Sequence, residues 1–320
     1  MSKSSVKFEI LLFTVGFLFL SELKAQDFPR DTSYTVASSY AKYLKSFPEI
    51  TMARAIAGEV IKEQKDLVYR DLGSRQLHVD VFSPKKIKKR APLVVMVHGG
   101  GWISGDKSHM EELAKTLAGR GYVAATVEYR LSPEIEYPAG VQDVKYAIRW
   151  LKCQSKKMKI DSSRVAVLGA SAGGQLAALV AYSSGVEKFE VEGGPDASSR
   201  VQAAVDMDGV LAFNHPESEE GTVAAKWLGG TYEEIPEIWD EASALYHVSS
   251  DDPPTLFLNS SYLRFHAGQD DVIEKLNGYG IESEVHQLGD RTPHTFWLFD
   301  PWFEPTADYI SDFLDGIFKE

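Results

Sequence analysis

Cysteine is almost absent from this chain of 320 residues, where Cys153 stands alone. A single thiol excludes an intramolecular disulfide framework and any metal site built from cysteines. Basic charge is scarce as well: 34 Lys plus Arg face 46 Asp plus Glu, for a net charge of −12. That balance gives the chain no electrostatic reason to seek nucleic acid, and no nucleic-acid partner is expected. Apolar runs of membrane-spanning length are missing too. Residues 10–20 (ILLFTVGFLFL) are mainly apolar but fall short of the roughly 18–20 residues a span requires. Preceded by Lys3 and Lys7 and followed by the small Ala25, this run reads as a secretory signal peptide, residues 1–25. The expectation is therefore an exported protein, periplasmic or secreted, with no membrane span in its mature form. An uncleaved N-terminal anchor is the alternative. Internal repeats, Pro/Gly/Ser linkers and long charge blocks are also lacking; the short basic stretch 85–90 reads as a solvated turn.

What is present suits a globular protein, with 44% hydrophobic and 25% charged residues. Residues 31–64 read as helical, with Asp31 and Thr32 able to cap and Pro48 interrupting, so 26–64 is expected to be a helical extension packed on the core. From residue 65 the pattern changes. Residues 67–69 and 77–82 (LHVDVF) alternate like half-buried strands, whereas 93–97 (LVVMV) and 123–127 are continuous apolar runs, as in strands covered on both faces. Further strands are expected at 165–168, 201–205 and 255–258, separated by helical segments at 109–119, 138–153 and 172–183. Alternation of this kind predicts an α/β fold: a mainly parallel central sheet with helices on both faces, one domain over 65–320 with a cap-like insertion around 211–250. In such sheets the ligand site lies beyond the carboxyl ends of the strands.

Two motifs fall there. Gly169-Ala170-Ser171-Ala172-Gly173 follows the apolar strand 165–168 and opens the Ala/Leu-rich helix at 175–182. A G-x-S-x-G between strand and helix forms a sharp turn that lifts the serine hydroxyl above the sheet, which marks Ser171 as a nucleophile. The competing reading is a glycine-rich packing turn or a phosphate loop, although no P-loop lysine or G-x-G-x-x-G accompanies it. His98-Gly99-Gly100-Gly101-Trp102 ends the strand 93–97. Consecutive glycines let backbone N–H groups approach a reacting carbonyl, so Gly100, Gly101 and Ala172 are the candidate oxyanion-hole donors. His98 reads as structural. No His/Cys/Asp/Glu cluster has plausible metal-ligand spacing, so neither a metal nor any other cofactor is expected.

HGGGW, then Tyr129-Arg130-Leu131-Ser132-Pro133-Glu134, then 138–151 (PAGVQDVKYAIRWL), then GASAGG resemble the α/β-hydrolase superfamily. The branch is that of the HGGG-bearing esterases, particularly the secreted carbohydrate esterases of polysaccharide-degrading bacteria. The resemblance runs from about residue 65 to 318 and implies an α/β-hydrolase fold and a metal-independent serine esterase. It implies that His294, in Thr292-Pro293-His294-Thr295-Phe296 before the last helix, is the general base. It makes Asp143 a structural helix residue. A pKa near 6.5 lets a histidine take the serine proton and return it to the leaving alcohol.

The third member departs from the family pattern. The family usually carries its acid after the strand at 255–258, in a pattern like G-x-x-D, but this chain reads Asn259-Ser260-Ser261-Tyr262-Leu263-Arg264. Members resembling pancreatic lipase move the acid to the end of the preceding strand, and there stands Asp208. Asp270 and Asp271, which read as helix-capping residues, are the alternatives. Arg264 and His266 occupy the vacated loop and, with Trp102, are the candidate substrate-binding residues, placed to hold a polar or anionic group such as a uronate carboxylate. The expected partner is an esterified poly- or oligosaccharide, carrying acetyl, methyl or feruloyl esters. A small peptidase of the same fold, or a non-catalytic carbohydrate-binding relative without its acid, are the rival readings.

Overall fold

The computed structural model describes residues 31–55, 60–132 and 134–318; the expected signal peptide, residues 1–25, lies outside them. Strand β1 (Thr51–Met52) pairs with β10 (Phe299–Asp300) in a small antiparallel ladder. The remaining strands form one sheet: β2 (Ile61–Asp71), β3 (Gln76–Pro84), β4 (Ala91–Val97), β5 (Val123–Val127), β6 (Ile160–Ala170), β7 (Ala203–Met207), β8 (Thr255–Asn259) and β9 (Ser283–Gln287). Their spatial order is β2-β3-β5-β4-β6-β7-β8-β9, with β2–β3 and β3–β5 antiparallel and every later pairing parallel. This is the architecture of the α/β-hydrolase fold.

The continuous apolar runs are explained by what covers the sheet. On β4, Leu93, Val95 and Val97 join one core, while Val94 and Met96 face the other. The first core takes most of its helical side chains from α3 (Ala139–Cys153), α5 (Ala172–Tyr182) and α8 (Gln269–Gly278), joined by Trp227, Leu228, Trp239 and Ala242 from the segment between β7 and β8. The second takes them from α2 (Glu111–Gly119) and α9 (Phe303–Phe318), together with Tyr43 at the end of α1 (Val36–Tyr43). Helix α5 is buried along its whole length, so its apolar composition needs no polar face. The short α4 (Ser155–Met158) leads into β6. Between β7 and β8, the segment expected as an insertion folds into α6 (Gly221–Leu228) and α7 (Pro236–Ala242).

The N-terminal segment departs from the expectation of a helix over 31–64. Among its described residues the α-helix is α1, capped by Thr35 in a reciprocal capping box with Ser38 rather than by Asp31 or Thr32. Residues 61–64 already belong to β2, an edge strand whose charged side chains lie mostly exposed. An edge strand carrying Lys, Glu and Asp on its wet side has the composition of a surface helix, and this misled the reading. Strand β7 also starts and ends two residues later than expected, which brings its end to Met207.

Candidate active site

Strand register sets the site. Ala170 at the end of β6 pairs with Met207 at the end of β7, and Met207 in turn pairs with Leu258 on β8. Ser171 and Asp208 are therefore the first residues beyond two neighbouring strand ends. The backbone locks them there: Ser171 N–H donates to the Met207 carbonyl at 2.7 Å, and Asp208 N–H to that of Leu258 at 3.1 Å. Both adopt left-handed backbone, φ 57° at Ser171 and 56° at Asp208, a conformation that non-glycine residues hold only where the surroundings impose it. The turn at Ser171 is possible because Gly173 has no side chain. A Cβ there would lie 2.2 Å from the Val97 carbonyl oxygen.

His294 arrives on the loop after β9 and completes a relay. Its Nε2 lies 2.8 Å from Ser171 Oγ, and its Nδ1 lies 2.7 Å from Asp208 Oδ2. An ionised carboxylate only accepts, so Nδ1 carries the proton and donates to Asp208. Nε2 is then the free acceptor for the serine O–H. Asp208 is buried, and its other oxygen accepts from Ser260 N–H at 2.7 Å and from His266 Nε2 at 3.1 Å. Burial alone would push this carboxyl up. Hydrogen bonds from His266 and His294, the charge of His294 and the Ser260 N–H outweigh it and hold Asp208 below the ordinary carboxylate value. Burial draws His294 below its ordinary value, offset only in part by Asp208.

Two positions earlier, within β7, Asp206 is shifted the opposite way. Burial raises its carboxyl well above the ordinary range, the charge of Asp208 adds to the rise, and the Gly209 N–H opposes it only weakly. Two neighbouring carboxyls are thus pushed in opposite directions by their surroundings.

Aromatic rings fix the imidazole. Phe265 stacks on His294 with centroids 3.4 Å apart and planes 10° from parallel, and Trp297 meets it edge-on at 5.6 Å. Arg264 lies over the outer face of Phe265 at 4.1 Å and donates to Glu220 Oε1 at 2.7 Å. Opposite, the glycine-rich loop packs against the elbow so closely that a Cβ on Gly99 would stand 2.6 Å from the Ala170 carbonyl oxygen. His98 is buried, stacks on Tyr129 and bonds the Gly99 carbonyl through Nδ1, a structural position. Gly100, Gly101 and Ser171 line a cavity of about 350 Å³, along with His294, Arg264 and Glu220. Ala172 opens helix α5, so its N–H has no partner within the helix and is free to face a developing negative charge.

The structure therefore brings Ser171, His294 and Asp208 together and seats Gly100, Gly101 and Ala172 beside them. Asp270 and Asp271 lie apart, exposed in the first turn of α8. Two of the candidate substrate-binding residues are placed differently from expectation. His266 does not face the cavity; its ring is buried against Asp208, because the vacated loop folds inward over the displaced acid. Trp102 is 2% exposed, stacked on Trp227 at 4.9 Å with its Nε1 donating to Gln175 Oε1, so it is a wall rather than an open sugar platform. Arg264 does line the cavity, but its guanidinium is already paired with Glu220. Reading the sequence pointed to the polar stretch that holds Glu220 but missed Phe265, Ser33 and Tyr34, and Ser38 and Lys42 of α1, all of which line the cavity. No local signal marked the missed residues; they reach the site only through tertiary packing. A larger cavity, about 720 Å³, is lined by Phe213, Tyr232 and Trp239 and touches neither Ser171 nor His294.

An eight-stranded sheet of this order, with a strained serine between β6 and α5, defines an α/β-hydrolase. Residues 79–274 match the model of the BD-FAE family, and the chain belongs to this family of α/β-hydrolase esterases. The probable carboxylic ester hydrolase LipM of Mycobacterium tuberculosis is 28% identical over 234 residues, covering 71% of this chain and 52% of LipM. The chain thus spans about half the length of that curated relative. Among solved structures, a bifunctional GH43-CE protein of Bacteroides eggerthii superposes with a TM-score of 0.68 at 22% identity, over 80% of this chain and 38% of that one. The apo form of Thermogutta terrifontis esterase 2 superposes with a TM-score of 0.67 at 23% identity, over 81% of this chain and 96% of that one. Both likenesses concern the fold.

Proposed function

We propose that the protein is a serine esterase that hydrolyses acyl or methyl esters on plant-type polysaccharides or their oligosaccharides. The observation that carries this is the relay from Asp208 through His294 to Ser171, with contacts of 2.7 and 2.8 Å. His294 Nε2 takes the Ser171 proton while Oγ attacks the ester carbonyl carbon. The oxyanion forms among the N–H groups of Gly100, Gly101 and Ala172. Collapse breaks the carbon–alkoxy bond, the imidazolium returns its proton to the departing alcohol oxygen, and an acyl-serine remains. Water then attacks that ester, His294 takes its proton, and collapse returns the proton to Ser171 Oγ and frees the acid. Asp208 stays ionised throughout and steadies the imidazolium.

Family membership and the name of the LipM relative support ester hydrolysis. A carbohydrate substrate is supported by the hydrogen-bonding side chains on the cavity wall, several serines with Lys42, Arg264 and Glu220. A solved neighbour described as a carbohydrate esterase from gut microbiota shares the fold. Export, suited to such a substrate, rests on the pattern of Lys3, Lys7, the apolar run and Ala25. The test is labelling with a serine-directed fluorophosphonate, followed by acetate and methanol release from acetylated xylan, acetylated pectin and methylated pectin. Modification at Ser171 with release from at least one polymer is expected. An unlabelled Ser171, or no release from any polymer, would contradict the reading.

A further inference from the structure

Two cavities meet at Ser171, and they differ greatly. The larger, about 350 Å³, contains His294 together with Lys42, Arg264, Ser33 and Ser38. The smaller, about 20 Å³, is lined by Gly101, Trp102, Ala172, Val210, Glu220 and Phe265 around Ser171 and Asp208. Proton return decides which side of the ester goes where. The departing alcohol oxygen must receive its proton from His294 Nε2, so the alcohol lies in the larger cavity, which His294 lines. The acyl substituent is then directed into the recess. A space of that size holds about one water-sized group, which matches the methyl of an acetyl.

The recess has little room to yield. Trp102 is held between Trp227 and Gln175, and Gln175 is itself tied to the Ala242 carbonyl at 2.8 Å. Val210 is 3% exposed. Phe265 cannot shift without carrying the stacked His294 with it. Glu220 lines both cavities and is held by Arg264, so a longer acyl chain would press against a paired carboxylate.

Resting on the esterase reading, we infer that the site accepts acetyl and little larger as its acyl group, carried on a polyhydroxylated alcohol. It rejects methyl esters of uronates and feruloyl esters, because in both the acyl side is a whole ring. The experiment compares kcat/KM for p-nitrophenyl acetate and p-nitrophenyl butyrate, which share a leaving group, then acetylated xylan against methylated pectin and methyl ferulate. One surplus methylene against a fixed wall costs about 10–200-fold, so acetate should exceed butyrate at least tenfold, with release from acetylated xylan alone among the three larger substrates. Val210→Ala, checked for folding by circular dichroism, should raise the butyrate-to-acetate ratio about tenfold or more. Butyrate matching acetate in the wild type, or turnover of methyl ferulate or methylated pectin at the acetate rate, would overturn the acyl limit and leave the esterase reading standing. Hydrolysis of no ester at all would overturn both.

Discussion

Strands β7 and β8 end side by side at the same edge of the sheet, yet they serve the histidine differently. β7 is followed directly by Asp208, whose Oδ2 lies 2.7 Å from His294 Nδ1. The stretch closing β8 and opening its loop, where related enzymes were expected to carry the acid, has Asn259-Ser260-Ser261-Tyr262-Leu263-Arg264 and no carboxylate. It has taken another task. Ser260 N–H and the His266 ring bind the free oxygen of Asp208, and Phe265 stacks on the imidazole. The difference teaches that reach to the histidine, not strand number, defines the acid. It also shows that a loop which lost the charge can become its support, since a buried carboxylate needs its remaining lone pairs satisfied.

The strongest break of this arrangement removes the nucleophile that both strand ends serve. Ser171→Ala is expected to lower kcat by about 10⁴–10⁶ with the fold intact by circular dichroism; near-normal turnover would remove the mechanism. A sharper probe of the division of labour is His266. His266→Ala deletes one hydrogen bond to a buried charge and should cost about tenfold or more in kcat. His266→Gln, which keeps an N–H donor, should recover most of that loss. Equal losses in both variants would assign His266 a packing role only.

Acid inactivation offers a smaller and independent reading. Neutral His294 is the base, and burial holds it below its ordinary value of 6.5. Activity should therefore persist as pH falls through 6.5 and be lost at lower pH, with the midpoint of kcat/KM below 6.5. A midpoint clearly above that value would mean that Asp208 outweighs desolvation. The smallest effects belong to the exposed carboxylates of α8. Asp270→Asn and Asp271→Asn should each leave kcat within about twofold and change stability by about 0.3–1 kcal/mol, the range for a charge at a helix N-terminus.

The contrast between the two strand ends also marks how far the sequence could be read. Ser171 and the glycine loop were legible because each is a local motif whose backbone demands are visible in neighbouring residues. The central strands were legible because burial on both faces leaves continuous apolar runs such as 93–97. Asp208 was readable only as the carboxylate at a strand end, with Asp270 and Asp271 left open. Register between β6, β7 and β8 decided the matter, and register is a tertiary property. Phe265 stayed hidden, and His266 was given the wrong role, because what they do depends on how the loops fold over the sheet. The start of β2, residues 61–64, was hidden for the converse reason: its exposed charges carry no apolar period.

The claim that the acid has moved to β7 is tested most directly by kcat for Asp208→Asn, measured beside Asp270→Asn and Asp271→Asn on one activated acetyl ester. The account expects Asp208→Asn to lose about 10⁴, the loss known when a serine triad keeps its geometry but not its charge, while the other two stay near wild type. A large loss at Asp270 or Asp271, with Asp208→Asn still active, would contradict it.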